Sequence, residues 1–261
     1  YINNIDLINK IENEFDIEKE LLLALMGIET NFGKYVGKMD ILSCEGLEIK
    51  LKNGTTVLDF TSGIGVLALG HNHPKILEAE SICHKLKLID VQKFGINRLQ
   101  SVLAHNISTI MPDPLDTSFF TVSGAEAVEA GIKLITRAQP KYKTKFITFQ
   151  DDYHGKTHGA LSFTKSENFA SGFHTGIPKE NIVTVKSGSL NELEKIIKAN
   201  TNTIAGMVIE PIQGQVLGIP PKGYLKDAIN LCRENKILTL VDEIKVGLGR
   251  TGKLFSFFAE D

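Results

Sequence analysis

The sequence has only three cysteines in 261 residues. Cys44, Cys83 and Cys232 are odd in number and far apart, which argues against a disulfide framework and a zinc ribbon and fits a reducing, cytoplasmic setting. There is no apolar run near the length that spans a bilayer. Asp6, Lys10, Glu12 and Glu14 argue against a signal peptide at the start. The two signs of charge nearly balance, with 29 Lys and Arg facing 31 Asp and Glu. A net charge of −2 leaves no electrostatic footprint for nucleic acid. The one dense basic run, Lys141-Tyr142-Lys143-Thr144-Lys145, reads as a solvated turn. Internal repeats and low-complexity tracts are also lacking.

What remains is an ordinary globular composition, long enough for one large domain or two smaller ones. A chain of this size buries roughly 70–75% of its unfolded surface and needs no staples. It begins at Tyr1 and stops at Asp261, shortly after Leu254-Phe255-Ser256-Phe257-Phe258, so a fragment truncated at both ends is expected.

Apolar residues at Ile5, Ile8, Ile11, Phe15, Leu22 and Leu25 have helical spacing. Gly27 to Tyr35 is turn-rich, a linker. Alternation from Glu48 to Phe60 around Asn53-Gly54 predicts a β-hairpin. Helices are predicted over Pro74–Leu88, with Pro in the first turn, and over Leu99–Met111, stopped by Pro112 and Pro114. Strands then alternate with helices: Phe119–Val122, helix 125–138, Lys145–Phe149, Ile182–Val185, helix 190–199, Ile204–Glu210, helix 224–235 and Ile237–Val241. That alternation predicts an α/β fold with a mostly parallel sheet flanked by helices.

The last strand is the most informative segment. Ile237–Val241 reads as a strand buried on both faces, and it ends in Asp242-Glu243 before a glycine-rich loop. Ligands of open α/β sheets sit at the carboxyl ends of strands, so an acid there is poised to hold one. A solvated strand end is the plainer alternative. Three glycine segments imitate nucleotide motifs. Gly63 to Ala68 fits G-x-G-x-x-A, but Gly70, Asn72 and Pro74 delay the helix that this motif opens. Gly247 to Lys253 nearly spells a P-loop, but Leu254 stands where a magnesium-binding hydroxyl is needed. Ser123-Gly124-Ala125-Glu126 lies where a strand meets a helix. It is a capping box, and its bare amides could also bind a phosphate. His154 and His158 have metal-like spacing, but Gly155 and Gly159 argue against a helix there. They read as loop residues, with no metal site.

Taken in order, several segments resemble the class III (subgroup II) pyridoxal-phosphate aminotransferases, the group of acetylornithine, ornithine, putrescine and 4-aminobutyrate aminotransferases. They are Glu45-Gly46-Leu47-Glu48, Leu58 to Gly65, Leu69 to Pro74, Ser123 to Ala130, Tyr153 to Thr157, Glu210 to Gly214 and Asp242 to Lys253. The resemblance runs from about Asn31 onward. It implies the PLP-dependent transferase fold type I and a homodimer with its active site at the interface. The implied division is a helical extension or linker over 1–30, a small-domain segment with the hairpin over 31–75, and a large PLP-binding domain over 76–261.

The resemblance also implies roles. Asp242 would hold the proton on the cofactor's ring nitrogen, and Ser123, Gly124 and Ala125 its phosphate. Tyr153 would stack on the ring, with His154 beside it. Lys245 stands where the family usually has Gln, and would donate to the phenolic oxygen; it could alternatively supply the Schiff base itself. Val122 replaces a usual Asn. Lys156 and Glu210 would face substrate. Lys156 stands where ornithine and acetylornithine enzymes carry Arg, and a lysine cannot make the bidentate carboxylate pair, so an amine or diamine donor is favoured. Gln215 replaces their usual Glu. The Schiff-base Lys is expected about ten residues beyond Asp261. The implied reaction is transfer of an amino group from an amine or ω-amino acid (diamine, ornithine-like or acetylornithine-like) to a 2-oxo acid. Alternatives are a decarboxylase, racemase or aminomutase on the same scaffold, a P-loop-like nucleotide-binding protein, and a non-catalytic relative.

Overall fold

The computed structural model describes residues 39–88, 95–165, 167–200 and 202–260. The helix predicted over Ile5–Met26 and the linker from Gly27 to Tyr35 lie outside them. The chain forms two compact units. Among described residues, one comprises 39–61 and 69–79, the other 62–68 and the chain from 80 on.

The first unit contains a three-stranded antiparallel sheet, β1 (Ile41–Glu45), β2 (Glu48–Leu51) and β3 (Thr56–Leu58), in that order. The hairpin forms where Asn53-Gly54 predicts it. Leu51 N–H donates to Thr55 O at 2.8 Å, and the Asn53 side chain accepts from Thr55 N–H at 3.0 Å. Of the core residues in these strands, only Ile49 is buried. Helix α1 (Pro74–Lys85) begins at its proline as expected and ends three residues short of Leu88.

The second unit carries a four-stranded parallel sheet. Its strands are β4 (Lys145–Phe149), β5 (Ile182–Val185), β6 (Ile204–Ile209) and β7 (Leu238–Val241), ordered β5-β4-β6-β7. The central strand β6 is buried at every position, which is why its sequence is a continuous apolar run. Helix α2 (Arg98–Ile110) is capped by Asn97, whose side chain accepts from the Leu99 and Gln100 amides. Helix α3 (Gly124–Ala138) covers one sheet face, packing Val128, Ile132 and Ile135 with Phe146, Ala205 and Val208. On the other face lie Leu193 and Ile197 of the helix Leu190–Asn200 and Leu225, Ala228 and Cys232 of the helix Tyr224–Glu234. They meet Ile147, Phe149, Ile204, Met207 and Ile209. The strand residues alternate between these two cores, so the expected α/β layering is present.

Three local expectations fail. The strand expected over Ile237–Val241 is not buried on both faces: β7 ends the sheet order with β6 as its one neighbour among the described residues, so Leu238 is exposed and Thr239, Leu240 and Val241 are half-buried. Phe119–Val122 is not a strand: Phe119 and Val122 are exposed, and no ladder takes up this segment. The Val122 N–H instead donates to the Glu126 carboxylate at 2.9 Å, so the segment serves the start of α3. His158 is not in a loop but opens a one-turn helix, His158–Leu161. Glu129 makes that turn possible, because its Oε1 accepts from Thr157 Oγ1 at 2.7 Å and from the Gly159 and Ala160 amides at 2.6 and 3.2 Å. A carboxylate from a distant helix satisfies orphan amides that local sequence leaves open.

Candidate active site

Adjacent parallel strands end along one edge of the sheet, and each delivers an acid. Past β4 come Asp152 and His154, past β6 comes Glu210, and past β7 comes Asp242. The ladder runs one residue beyond β7, with Asp242 N–H donating to Ile209 O at 2.8 Å. One carboxylate oxygen of Asp242 accepts from the Ile244 amide at 3.0 Å, closing a turn; the other lies 2.7 Å from His154 Nδ1. His154 Nε2 lies 3.4 Å from Asp152 Oδ2. Asp152 Oδ1 in turn accepts from Gln213 Nε2 at 2.8 Å, and that amide also donates to the Gln150 carbonyl. Asp152, His154, Gln213 and Asp242 are all buried. Burial alone would lower the His154 pKa, but its hydrogen bonds to Asp152 and Asp242 and their charges outweigh that and raise it to about 9. Both contacts favour the protonated ring.

Glu210 braces the same edge. Its two oxygens accept from the Tyr153 amide at 2.8 Å and the Gly214 amide at 3.0 Å. Burial pushes its carboxyl up to about 7, against the opposing pull of these amides and His154. Lys245 Nζ donates to Gly214 O at 2.7 Å, so the loop after β7 is tied to the loop after β6. The Tyr153 ring meets Phe169 edge-on, with centroids 5.3 Å apart. The Lys156 ammonium lies 4.7 Å from the centroid of that Phe169 ring, a cation–π contact.

The start of α3 closes on these loops. Ser123 caps it, its hydroxyl accepting from Glu126 N–H at 3.3 Å, while the Gly124 and Ala125 amides open the helix. A Cβ on Gly124 would stand 2.7 Å from Ile244 Cδ1, and one on Gly155 would stand 2.6 Å from Ala125 Cβ. Gly155 also has φ +124, where side chains are rarely found. The Gly155 approach requires glycine, whereas at Gly124 the near atom is the end of the exposed Ile244 side chain. The helix start, the Tyr153-His154-Gly155 loop and the loop after Asp242 thus pack against one another as the walls of one cradle. Such a cradle suits a small ligand with an anionic group at one end and a protonated ring nitrogen at the other.

The structure thus brings Gly124, Ala125, Tyr153, His154, Glu210, Asp242 and Lys245 together. Ser123 lies at the helix cap and Lys156 on the Phe169 ring. His154 has a fully buried side chain behind Asp242, and Lys245 has its ammonium on a main-chain carbonyl. Sequence reasoning missed Asp152, and gave no role to Glu129 and Gln213, which lie inside segments that carry the resemblance. Glu243, the second acid after β7, turns away and accepts from the amides of Ser256 and Phe257 at 3.0 and 2.9 Å. The P-loop imitation does not hold: no α-helix follows Gly247–Lys253 among the described residues, and its amides are used internally, as in Gly252 N–H to Gly249 O at 3.1 Å. Nor does a helix open at Gly65, where Gly63 and Ile64 are left-handed. No metal-binding cluster occurs among the described residues.

Comparison with known proteins adds the following. A family model described as aminotransferase class-III matches residues 33–260. A second, described as transglycosylase SLT domain, matches residues 1–44, overlapping the first over 33–44. The chain is 37% identical to an acetylornithine aminotransferase of Methanopyrus kandleri over 218 residues, covering 83% of this chain and 54% of that protein. It is 33% identical to an ornithine aminotransferase of Bacillus cereus over 226 residues, with the same coverage of 83% and 54%. The solved structure of the ornithine aminotransferase from Toxoplasma gondii, which has partial occupancy of PLP at its active site, superimposes with a TM-score of 0.75 at 25% identity. That match covers 99% of this chain and 60% of the other. The chain therefore spans about half the length of the curated relatives it matches.

Proposed function

Because the chain belongs to the class-III aminotransferases, we propose that it is the cofactor-holding part of a PLP-dependent aminotransferase. The observation that carries the reading is the cradle in which Gly124 and Ala125 at a helix start, Gly155, and the loop after Asp242 close on one another. Its donor set fits pyridoxal phosphate: amides for a phosphate, a carboxylate for a ring nitrogen, an aromatic residue beside them. When bound, that cofactor supplies an electron-withdrawing ring.

Asp242 would hold the proton on the ring nitrogen through a charge-assisted hydrogen bond. Ser123 and the Gly124 and Ala125 amides would hold the phosphate, and Tyr153 would lie against the ring. His154, buried against Asp242, would act on the cofactor through that carboxylate. Lys245 would leave the Gly214 carbonyl, or share it, to donate to the phenolic oxygen. Lys156 and Glu210 would serve the substrate side. The ammonium of Lys156 is a point charge, which supports an amine or ω-amino acid as donor, with a 2-oxo acid as acceptor. We read the working protein as a homodimer. The three unpaired cysteines support a cytoplasmic setting, and among the described residues no helix is long and apolar enough to cross a membrane.

Adding pyridoxal phosphate to the full-length protein tests this. A visible absorbance band, and amino transfer from a diamine or ω-amino acid to a 2-oxo acid, are the expected results. A cofactor spectrum unchanged at saturating concentration would defeat the reading.

A second reading concerns the beginning of the chain only. The transglycosylase match to 1–44 supports assigning residues 1–30 to a module distinct from the aminotransferase portion. Deleting 1–30 is then expected to leave pyridoxal phosphate affinity unchanged, and a marked loss would count against it.

A further inference from the structure

The His154 ring is gripped from both sides. Nδ1 faces Asp242 Oδ2 at 2.7 Å and Nε2 faces Asp152 Oδ2 at 3.4 Å. A carboxylate can only accept, so both contacts are satisfied only if both ring nitrogens donate, which makes the ring an imidazolium. A neutral ring would turn a lone pair toward a carboxylate in a place with no water to separate them: Asp152 is 1% exposed and His154 2%. Asp152 is itself held from two directions, by Gln213 Nε2 at 2.8 Å on Oδ1 and by the Phe149 amide at 3.3 Å on Oδ2. The His154 amide is fixed as well, donating to Thr164 Oγ1 at 3.1 Å.

We propose that Asp152 is a positioning residue for Asp242: through His154 it fixes the ring as a doubly donating cation, which keeps one oxygen of Asp242 engaged, and Gln213 holds Asp152 in place. The consequence for a bound cofactor rests on the function proposed above; the state of the histidine does not. The other titratable groups around this chain of contacts are Lys165, Glu210 and Tyr224. The first counters the charge of Asp152 from a partly buried position, the second counters that of His154, and the third is a buried phenol. None of them bonds the far nitrogen of the ring, so Asp152 alone can fix its second proton.

The test is the protonation of His154 in the full-length protein without cofactor, read by NMR of nitrogen-labelled imidazoles and assigned by the signal lost in His154→Gln. The wild-type ring should carry both protons through pH 8, with a midpoint of about 9. Asp152→Asn should lower that midpoint by at least about one pH unit, because it removes a neighbouring charge. Gln213→Leu should move it the same way by less. If Asp152→Asn does not fold, Gln213→Leu decides. A wild-type ring neutral at pH 7, or an unmoved midpoint in a folded variant, overturns the proposal. Pyridoxal phosphate binding, followed by its visible band in the same proteins, separates the two ideas. A wild type that binds it with an unmoved midpoint in Asp152→Asn defeats this inference and leaves the proposed function standing. A midpoint that falls in a protein that binds no cofactor upholds the imidazolium and defeats the function.

Discussion

Among the described residues, two aspartates each close a turn on the amide two residues on and face a histidine, one in each compact unit, and they are built alike. Asp59 accepts from the Thr61 amide two residues on, at 2.9 Å, and its other oxygen lies 3.0 Å from His71 Nε2. Asp242 accepts from the Ile244 amide two residues on, at 3.0 Å, and its other oxygen lies 2.7 Å from His154 Nδ1. They differ in what stands behind the ring. The His71 side chain is 23% exposed, so water can serve it; that of His154 is wholly buried, and its far nitrogen faces Asp152. A carboxylate–imidazole pair is thus an ordinary way to close a turn. A second acid and the exclusion of water turn the same pair into a held charge.

The sharpest way to break this comparison is to remove each imidazole. His154→Gln leaves two carboxylates buried without a cation between them, which costs about 3–5 kcal/mol of stability. His71→Gln removes a partly solvated contact and should cost about 0–1 kcal/mol. Urea unfolding of the full-length protein measures both, and equal losses would mean that burial and Asp152 add nothing. Removing each carboxylate's charge comes next. Asp242→Asn should lower amino-transfer turnover by at least about a hundredfold through lost electrostatic stabilisation. Asp59→Asn should weaken its turn and leave turnover close to wild type. Near-normal turnover in Asp242→Asn would refute its assigned role.

The same contrast explains what the sequence makes legible. Asp242 can be read from position alone, as an acid at the end of a branched apolar run, and β4 and β5 are found with their observed ends because polar residues bound short apolar runs. Gly124 is legible as part of a capping box. The grip on Asp242 is not, because its partner lies 88 positions away and Asp152 has no local signature. His154 looks like a cofactor neighbour in sequence, and its side chain is buried between Asp152 and Asp242. Phe119–Val122 has strand composition, but a strand exists only where a ladder receives it. The turn at His158 depends on Glu129 in another helix. Residues whose function comes from their own place on an element can be read from sequence; those that work by long-range pairing cannot.

A smaller effect tests whether the cradle depends on the close approach of its walls. Gly155→Ala places a Cβ in a φ +124 conformation and 2.6 Å from Ala125 Cβ. Strain of this kind costs about 1–3 kcal/mol. The expected result is weaker pyridoxal phosphate binding together with a modest drop in stability, measured by cofactor titration and urea unfolding. An alanine variant that binds the cofactor as tightly as wild type would show that the loop can move away from α3 without consequence.

The last and shallowest effect is the pH dependence of stability, where two groups act in the same direction over adjoining ranges. His154 binds its proton more tightly folded than unfolded, with pKa raised from 6.5 to about 9. Its contribution is fully present below about pH 6.5 and is lost as pH rises through about 9. Glu210 is raised by burial from 4.5 to about 7, so the folded state favours its protonated form. Its contribution is present below about pH 4.5 and lost as pH rises through about 7. The wild-type urea midpoint should therefore decline from about pH 5 to pH 9, each group contributing a slope of at most about 1.4 kcal/mol per pH unit. Glu210→Gln should flatten the lower half of that decline and leave the upper half; His154→Gln should do the reverse. If His154→Gln leaves the slope between pH 7 and 9 intact, another group carries it, and the imidazolium between Asp152 and Asp242 loses its energetic signature even where its geometry is right.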